Sequence, residues 1–373
     1  MNMPTFTGLA NPWIRGLKVY EPGRPIEEVA REMGFEDASN IVKLASNENA
    51  LGPSPRAVRA MRASARQMHL YPDGSAFYLR QALGAKLRLP PECLVCGCGS
   101  NEIIELLGHV FLDKDTSAVM ADRAFIVYKL IAAMFCAQAI SVPMRDLTHD
   151  LDAMLAAIRP DTRLVFVANP NNPTGTMVST SALERFIEQA PEHVVVVVDE
   201  AYTELLPPDR QPNLLRYVLA GRKLVVVRTF SKAYGLAGLR CGYAIAPPEC
   251  IQLINRVRQP FNLTAMALAA CTAALADTRH LRLTQKMVAS GLRQLETGLT
   301  RLGVAFVPSV VNFMLVKTGA GRDVSGQLER EGVIVRPVDG YGLPDYVRVS
   351  VGTQPENVRF LTALEKVLAA RRG

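Results

Sequence analysis

The chain has 373 residues, 49% of them hydrophobic, which suffices for a buried core and favours two domains over one. It contains no apolar run of about 20 residues and no secretory signal pattern, so the sequence predicts a cytoplasmic protein that does not enter a membrane. Its 42 Lys and Arg against 35 Asp and Glu give a formal net charge of +7, but these residues are scattered, which favours anionic small-molecule ligands and argues against nucleic acid.

The first 270 residues are predicted to hold a large α/β unit. Residues 1–40 are rich in Pro and Gly and are expected to form an irregular arm, followed by a short strand in "IVKLAS" and helical patterns at 55–68 and 75–87. Helical patterns then alternate with seven apolar segments, which are 93–96, 117–121, 139–142, 163–168, 193–199, 223–229 and 242–246. Continuous apolar strands separated by helices are typical of a largely parallel sheet covered on both faces, and ligands bind at the carboxyl ends of such strands.

The rest of the chain has a different pattern. A long amphipathic helix is predicted near 280–302, then the short strands "FMLVK", "VIVRP" and "YVRVSV", and a terminal helix from Pro355. We therefore expect a smaller α+β domain at 271–373, a large domain at 46–270, and an arm at 1–45 that contributes in part to the small domain.

Polar residues that can carry chemistry follow several predicted strands. Lys232 comes just after the strand 223–229, and Asp199 ends a run of five valines with Tyr202 three residues later. Each has an ordinary explanation when taken alone: a solvated loop lysine for Lys232 and a helix cap for Asp199. "ANPNNPTG" is a rigid turn that carries amide side chains, and Arg240 lies near the next strand.

The segment "CGCGSNEIIELL" is a glycine-rich turn between a strand and a helix, and its backbone N–H groups suit a phosphate. It also resembles a dinucleotide fingerprint through Gly97 and Gly99, with Asp122 at the spacing of a ribose-binding acid. Glu102, however, takes the place of the third glycine, where an acid would repel a pyrophosphate. A nicotinamide-dependent dehydrogenase is therefore an alternative outside the main hypothesis.

The seven cysteines are expected to be reduced, and no metal site is predicted. Cys93, Cys96 and Cys98 lie close together, but no fourth ligand or second pair is apparent, so they are interpreted as buried strand cysteines. The five histidines are dispersed. Neither residue type therefore shows the spacing of a metal site.

The polar segments together match pyridoxal 5′-phosphate (PLP). Its phosphate needs the glycine-rich turn and Arg240, its ring nitrogen needs a carboxylate, its phenolic oxygen needs Asn and Tyr donors, and its aldehyde needs a lysine. A lysine serves this purpose when its surroundings lower its pKa. We therefore interpret Lys232 and Asp199 as the centre of a PLP site.

The chain resembles the fold-type I PLP-dependent aminotransferases and, among them, the histidinol-phosphate aminotransferase family. The resemblance rests on "VYEPGRP", "KLASNEN", "YPDGSAFYLRQAL", "GSNEIIELL", "ANPNNPTGT", "DEAYTEL", "RTFSKAYGLAGLRCGY", "VIVRP" and "YVRVSVGT", in this order and over nearly the whole chain. It implies a large domain with a mostly parallel seven-stranded sheet and a smaller α+β domain. It also implies transamination between histidinol phosphate and 2-oxoglutarate in histidine biosynthesis.

The resemblance also implies a role for each matching residue. Lys232 would bind the cofactor covalently, Asp199 would pair with the ring nitrogen, and Tyr202 and Asn172 would donate to the ring oxygen. The phosphate would be held by Ser100, Asn101, Ser231, Arg240 and, from the other subunit of a homodimer with a shared active site, Tyr71. Phe125 would stack on the ring, and the substrate would be bound by Tyr20, Asn47, Arg336 and Arg348.

Two departures from the family pattern and several alternatives accompany this interpretation. Ala124 and Val19 stand where the family often has proline, before Phe125 and Tyr20. The alternatives in the same cofactor class are an aromatic-amino-acid aminotransferase and a threonine-phosphate decarboxylase. Two arginines on small-domain strands could also be a solvated edge pair, whereas a site for both a carboxylate and a phosphate would explain them.

Overall fold

The computed structural model describes residues 5–17, 19, 21 and 23–371. Its helices are α1 (Phe6–Leu9), α2 (Ile26–Met33), α3 (Pro55–Ala65), α4 (Phe77–Leu87), α5 (Gly99–Phe111), α6 (Val127–Met134), α7 (Leu151–Ala156), α8 (Thr180–Gln189), α9 (Leu215–Leu219), α10 (Pro248–Val257), α11 (Ala265–Ala276), α12 (Thr278–Arg301), α13 (Gly321–Arg330) and α14 (Gln354–Ala370). Within the described ranges, no helix combines the length and apolar character needed to cross a bilayer.

The strands are β1 (Val42–Lys43), β2 (Leu94–Gly97), β3 (Ser117–Ala121), β4 (Gln138–Val142), β5 (Thr162–Ala168), β6 (Val195–Asp199), β7 (Leu224–Thr229), β8 (Gly242–Ile245), β9 (Phe306–Val307), β10 (Phe313–Lys317), β11 (Val333–Ile334), β12 (Arg336–Pro337) and β13 (Tyr346–Ser350). All seven strands predicted for the large sheet are present within two residues of their expected bounds. They form one sheet in the order β2-β8-β7-β6-β5-β3-β4.

The sheet is mostly parallel, as predicted. β8 pairs antiparallel with both of its neighbours, β2 and β7, while every pair from β7 to β4 is parallel. The central strands are almost completely buried because helices cover both faces, which is why they are rich in valine. The neighbouring strands β5 and β6 end in register, with Ala168 opposite Asp199, and this brings their carboxyl ends to one edge of the sheet.

The smaller sheet has the order β12-β13-β10-β9, and α13 packs against its strands β12 and β13. One large apolar cluster surrounds the seven-stranded sheet, and a second one joins Leu44 to residues between Leu295 and Val367. These two cores support the division into a large and a small domain, whose boundaries stay a prediction. The predicted strand "VIVRP" is in fact two short strands, β11 pairing with β1 and β12 with β13.

The prediction of an irregular segment for residues 1–40 was wrong for residues 6–9, which form α1, and for residues 26–33, which form α2. Ile26, Val29, Ala30 and Met33 recur at helical spacing and pack near Ile334, and the helix ends at Gly34 in the left-handed conformation. The periodicity is visible in the sequence, but the neighbouring Pro and Gly residues hid it.

Candidate active site

A cavity of about 330 Å³ opens at the carboxyl edge of the large sheet. Ala168, Asp199 and Thr229, which are the last residues of β5, β6 and β7, form part of its wall. Twelve of the residues predicted for the site also line it: Asn47, Ser100, Asn101, Phe125, Asn172, Asp199, Tyr202, Ser231, Lys232, Arg240, Arg336 and Arg348. Segments far apart in the chain therefore converge where an α/β sheet is expected to bind its ligand.

Lys232 lies in the turn after β7 and reaches into this cavity. Its Nζ donates a hydrogen bond to the carbonyl of Ser46 at 3.1 Å and lies 5.9 Å from the centre of the Tyr202 ring. Burial, together with the nearby Arg348 guanidinium, lowers the pKa of Lys232 to about 8. A neutral, nucleophilic amine is therefore accessible near physiological pH, unlike in a solvated lysine.

Asp199 is a buried carboxylate at the end of β6, with only 6% of its surface exposed. Its Oδ2 accepts from the Tyr128 hydroxyl at 2.8 Å and its Oδ1 from the backbone N–H of Ala201 at 3.1 Å. Burial raises the pKa of Asp199 and these two hydrogen bonds lower it, and the net value is about 6. The carboxylate is thus fixed and ready to pair with a cation entering the cavity.

Tyr202 and Asn47 form a second polar group. The Tyr202 hydroxyl accepts from Asn47 Nδ2 at 2.9 Å, which leaves its own proton free to be donated, and burial raises the pKa of Tyr202 to about 12. The backbone N–H of Asn47 donates to Ser350 Oγ at 2.8 Å, which ties the segment to β13. The phenol therefore stays a hydrogen-bond donor at working pH.

The glycine-rich turn and the loop after Lys232 form a cradle of donors. Ser100 and Asn101 occupy the first turn of α5, where backbone N–H groups are unpaired and the helix dipole is positive. Gly99 has φ +75°, and a Cβ there would overlap the Arg240 guanidinium. Arg240 Nη1 donates to Ala237 O at 3.2 Å and lies 3.5 Å from Ser231 Oγ. This cradle suits a phosphate monoester.

The two acidic residues that entered the dinucleotide interpretation of this turn, Glu102 and Asp122, make structural hydrogen bonds instead. Glu102 turns back to accept from the backbone N–H of Cys98 and from Asn262 Nδ2, the latter at 2.7 Å. Asp122 Oδ1 accepts from the backbone N–H of Met144 at 3.1 Å, and Asp122 does not line the cavity. Both acids have structural roles, so Glu102 and Asp122 do not form the binding site for a dinucleotide that a dehydrogenase would need.

Arg336 and Arg348 lie on the adjacent strands β12 and β13 and line the same cavity. Arg348 is only 7% exposed, and it donates to Asn172 Oδ1 at 2.5 Å and to Ala45 O at 2.7 Å. Arg336 Nη2 donates to the carbonyl of Glu21 at 2.5 Å. The interpretation as a solvated edge pair is therefore wrong for Arg348, whose charge is buried next to Lys232.

One predicted site residue that the structure describes, Tyr71, does not line the cavity. Tyr71 is 84% exposed and packs on Phe261, with 4.8 Å between the ring centres. Met68, Leu70 and Phe261, whose apolar side chains are also exposed, line the same surface cavity as Tyr71. Tyr20 lies outside the described residues.

Several lining residues were missed by the sequence interpretation, namely Glu48, Tyr128, Thr229 and Tyr341. The signal for Tyr128 was its position three residues after Phe125: Phe125 lies just before α6 and Tyr128 in its first turn. No local pattern marked Tyr341, because it reaches the cavity only through the folding of the small sheet.

The cysteines differ in part from expectation. Cys93 and Cys96 are buried, as predicted, but Cys98 is exposed, and all seven are free thiols. Across the residues that the structure describes, no group of three or more His, Cys, Asp or Glu side chains is arranged to hold a metal ion.

Comparisons with known proteins place this geometry in a family. The family described as aminotransferase class I and II matches residues 39–364. The chain is 49% identical to histidinol-phosphate aminotransferase 2 of Ralstonia nicotianae over 96% of each protein. Its fold is similar to the crystal structure of histidinol-phosphate aminotransferase from Sinorhizobium meliloti in complex with PLP, with a TM-score of 0.88, 27% identity and coverage of 97% of this chain and 98% of the other.

A different enzyme shares the fold. The L-threonine-O-3-phosphate decarboxylase of Porphyromonas gingivalis has a TM-score of 0.78 and 22% identity, with 88% of this chain and 100% of the other covered. At that identity the similarity concerns the fold alone. The fold by itself therefore does not separate amino transfer from decarboxylation.

Proposed function

The chain belongs to the family of class I and II aminotransferases, and we propose that it uses PLP to transfer the amino group between histidinol phosphate and 2-oxoglutarate. The products in this direction are imidazole acetol phosphate and glutamate, and the biosynthetic direction is the reverse. The observation that carries the proposal is the meeting of a low-pKa lysine, a buried aspartate, an anion cradle and two arginines in one cavity.

The donor set of the cavity fits PLP. Lys232 would bind its aldehyde, Asp199 its ring nitrogen, and Tyr202 and Asn172 its phenolic oxygen. Phe125 would lie on its ring, and the cradle of Ser100, Asn101, Ser231 and Arg240 would hold its phosphate. When bound, PLP supplies a ring that withdraws electrons from the α-carbon of the substrate. An ionised Asp199 favours this withdrawal because it keeps the ring nitrogen protonated.

Lys232 is the residue best suited to move the proton during the reaction. As a free amine, the Nζ group of Lys232 would accept the proton from the α-carbon of the substrate and later donate it again. Its pKa of about 8 makes both steps accessible near neutral pH. Tyr202 holds its hydroxyl proton towards the cavity, because the Asn47 amide already occupies one of its acceptor positions.

The two arginines explain how one site serves two substrates. Histidinol phosphate presents a phosphate and glutamate presents carboxylates, and guanidinium groups bind both in a bidentate manner. Arg348 is oriented by its hydrogen bonds to Asn172 and Ala45, whereas Arg336 lies beside the arm at Glu21. This arrangement supports alternating binding of the two substrates and hence ping-pong kinetics.

The homodimer, the pathway and the cellular location are part of the proposal. Tyr71 lies on the surface among exposed apolar side chains, which is the environment expected at a protein interface. In a dimer this surface would bring Tyr71 to the phosphate of the other subunit's cofactor. We place the enzyme in histidine biosynthesis, in the cytoplasm.

The substrate assignment is tested by comparing three substrates on the purified, PLP-loaded protein. We expect kcat/KM for histidinol phosphate to exceed that for phenylalanine by about 100-fold or more, because an apolar ring leaves the arginines without an anion. Threonine phosphate should yield no carbon dioxide. A preference for phenylalanine would support an aromatic-amino-acid aminotransferase instead, and release of carbon dioxide would support a decarboxylase.

A further inference from the structure

Tyr128 is a fully buried tyrosine that touches both of the groups expected to contact the cofactor ring. Its hydroxyl donates to Asp199 Oδ2 at 2.8 Å. Its ring stacks on Phe166 of β5, with 4.7 Å between centres and 3° between planes, and meets Phe125 edge-on at 5.8 Å. Because these rings belong to the core of the large sheet, the phenol cannot turn away without disturbing the packing.

The hydrogen bonds of Asp199 fix the plane of its carboxylate. Oδ2 is held by Tyr128 from α6, and Oδ1 by the backbone N–H of Ala201 at 3.1 Å. Each carboxylate oxygen has a further lone pair, so the group can still accept a donor from the cavity that it lines. Of these two hydrogen bonds, only the one from the Tyr128 side chain can be removed by a substitution.

We propose that Tyr128 is a positioning residue for the reaction: it orients the Asp199 carboxylate towards the ring nitrogen of the cofactor and helps to keep it ionised. This inference rests on the proposed function, because it requires that PLP binds in this cavity. Tyr128 acts only through Asp199, and it carries out no chemical step itself.

The charged and titratable groups around Asp199 show why it needs this help. Burial and the neighbouring Glu200 raise its pKa, whereas the Tyr128 hydroxyl, the Ala201 N–H and Lys232 lower it, and the balance lies at about 6. Tyr202 also lies close enough to Asp199 for each to influence the other. The pKa of Tyr128 is raised well above its ordinary value by burial and by Asp199, so its hydroxyl remains a donor.

The test is the affinity of the cofactor-free protein for pyridoxamine 5′-phosphate as a function of pH. This probe avoids the covalent link to Lys232 and reports on ring binding alone. In Tyr128→Phe the ring stack is kept and only the hydroxyl is lost. The affinity should fall at acid pH, where Asp199 becomes protonated. We expect this fall to occur in Tyr128→Phe at a pH about one to two units higher than in the wild type, because the loss of one hydrogen bond to the charged carboxylate raises the pKa of Asp199 by about that amount.

Two variants make the result specific. Tyr217→Phe removes another tyrosine-to-carboxylate hydrogen bond, to Glu188 Oε1 at 2.6 Å and away from the cavity, and should leave the pH profile unchanged. Tyr128→His retains a ring N–H that can donate to Asp199 and should move the profile back towards the wild type. Thermal unfolding of each cofactor-free protein checks that the fold is intact.

The outcomes separate this inference from the proposed function. If folded Tyr128→Phe has the same acid limb as the wild type, or if Tyr217→Phe shifts it equally, the positioning role is overturned while the PLP assignment stands. If the wild type binds neither PLP nor pyridoxamine 5′-phosphate, the proposed function itself fails. An upward shift in Tyr128→Phe that Tyr128→His reduces supports the inference.

Discussion

Arg336 and Arg348 lie directly opposite each other on the antiparallel strands β12 and β13. Like charges in this position destabilise a sheet by up to about 1 kcal/mol, so their pairing is unfavourable for the fold. Both line the cavity that contains Lys232 and Asp199. Two guanidinium groups that face one cavity suit an anionic ligand, which is why we interpret the pair as a substrate site.

This pair predicts a variant that loses activity without losing stability. In Arg336→Gln we expect kcat/KM for histidinol phosphate to fall by about 100-fold, because one charge-assisted contact to the substrate is lost. The free energy of unfolding should change by less than about 1 kcal/mol. Arg301→Gln, in an exposed ion pair with Glu365, serves as the control. Unchanged kinetics for Arg336→Gln would argue against its role.

The low pKa of Lys232 predicts how fast PLP attaches. The neutral amine is the nucleophile, so the rate of covalent attachment to the cofactor-free protein should rise with pH and reach half of its plateau near pH 8, the pKa of about 8 given by burial. An ordinary lysine would reach this point above pH 10. Absorbance in the visible range measures attachment. Lys232→Ala should show no such absorbance and no turnover, and retention of either would exclude Lys232 as the attachment site.

The buried Asp199 predicts a gain in stability on neutralisation. Its carboxyl ionises near pH 3.8 when unfolded and near 6 when folded, so the folded state binds more protons between these values and stability falls as the pH rises through them. Above pH 6 the difference corresponds to about 3 kcal/mol. Asp199→Asn should therefore raise the free energy of unfolding of the cofactor-free protein by up to this amount at neutral pH.

This gain should nearly vanish below about pH 3, where both states of the wild type are protonated. Asp115→Asn, in an exposed ion pair, should show no comparable pH-dependent gain. At neutral pH, where Asp199→Asn gains stability, its affinity for PLP should fall. A variant that is destabilised at every pH would show that Asp199 supports the fold more than the site.

The close approach of Gly99 and Arg240 predicts a steric effect on phosphate binding. In Gly99→Ala the added Cβ would meet the Arg240 guanidinium, and the residue would be held at φ +75°. We expect PLP affinity to fall by about 10-fold or more. Gly238→Ala, in the same loop as Arg240 and with open space around its Cβ position, should bind PLP like the wild type.

The exposed position of Tyr71 predicts that activity depends on a second subunit. Lys232→Ala and Tyr71→Ala should each be nearly inactive as pure proteins. After unfolding and refolding together, mixed dimers would contain one intact site, built from Lys232 of one subunit and Tyr71 of the other. Recovery of about one quarter of the wild-type activity would follow from random pairing. No recovery, with mixed dimers present, would contradict a shared site.

Much of the fold was predictable because its signals are local. The valine-rich strands of the large sheet, the long helix α12 and the residues Lys232, Asp199 and Arg240 stand out through composition and position, and the structure places those three residues in one cavity. The motifs also identified the family. α2 was missed although its periodicity is present, because Pro and Gly on both sides suggested a loop.

The sequence by itself determined the order of the elements, the family and the types of side chain available for cofactor chemistry, since these depend on residue identity and short-range pattern. Only the tertiary structure decided that Tyr128 holds Asp199, that Arg348 is buried against Asn172, and that Glu102 and Asp122 are used as structural acceptors. These facts depend on contacts between residues far apart in the chain, and burial changes the pKa of Lys232 and Asp199 only when those contacts exclude water.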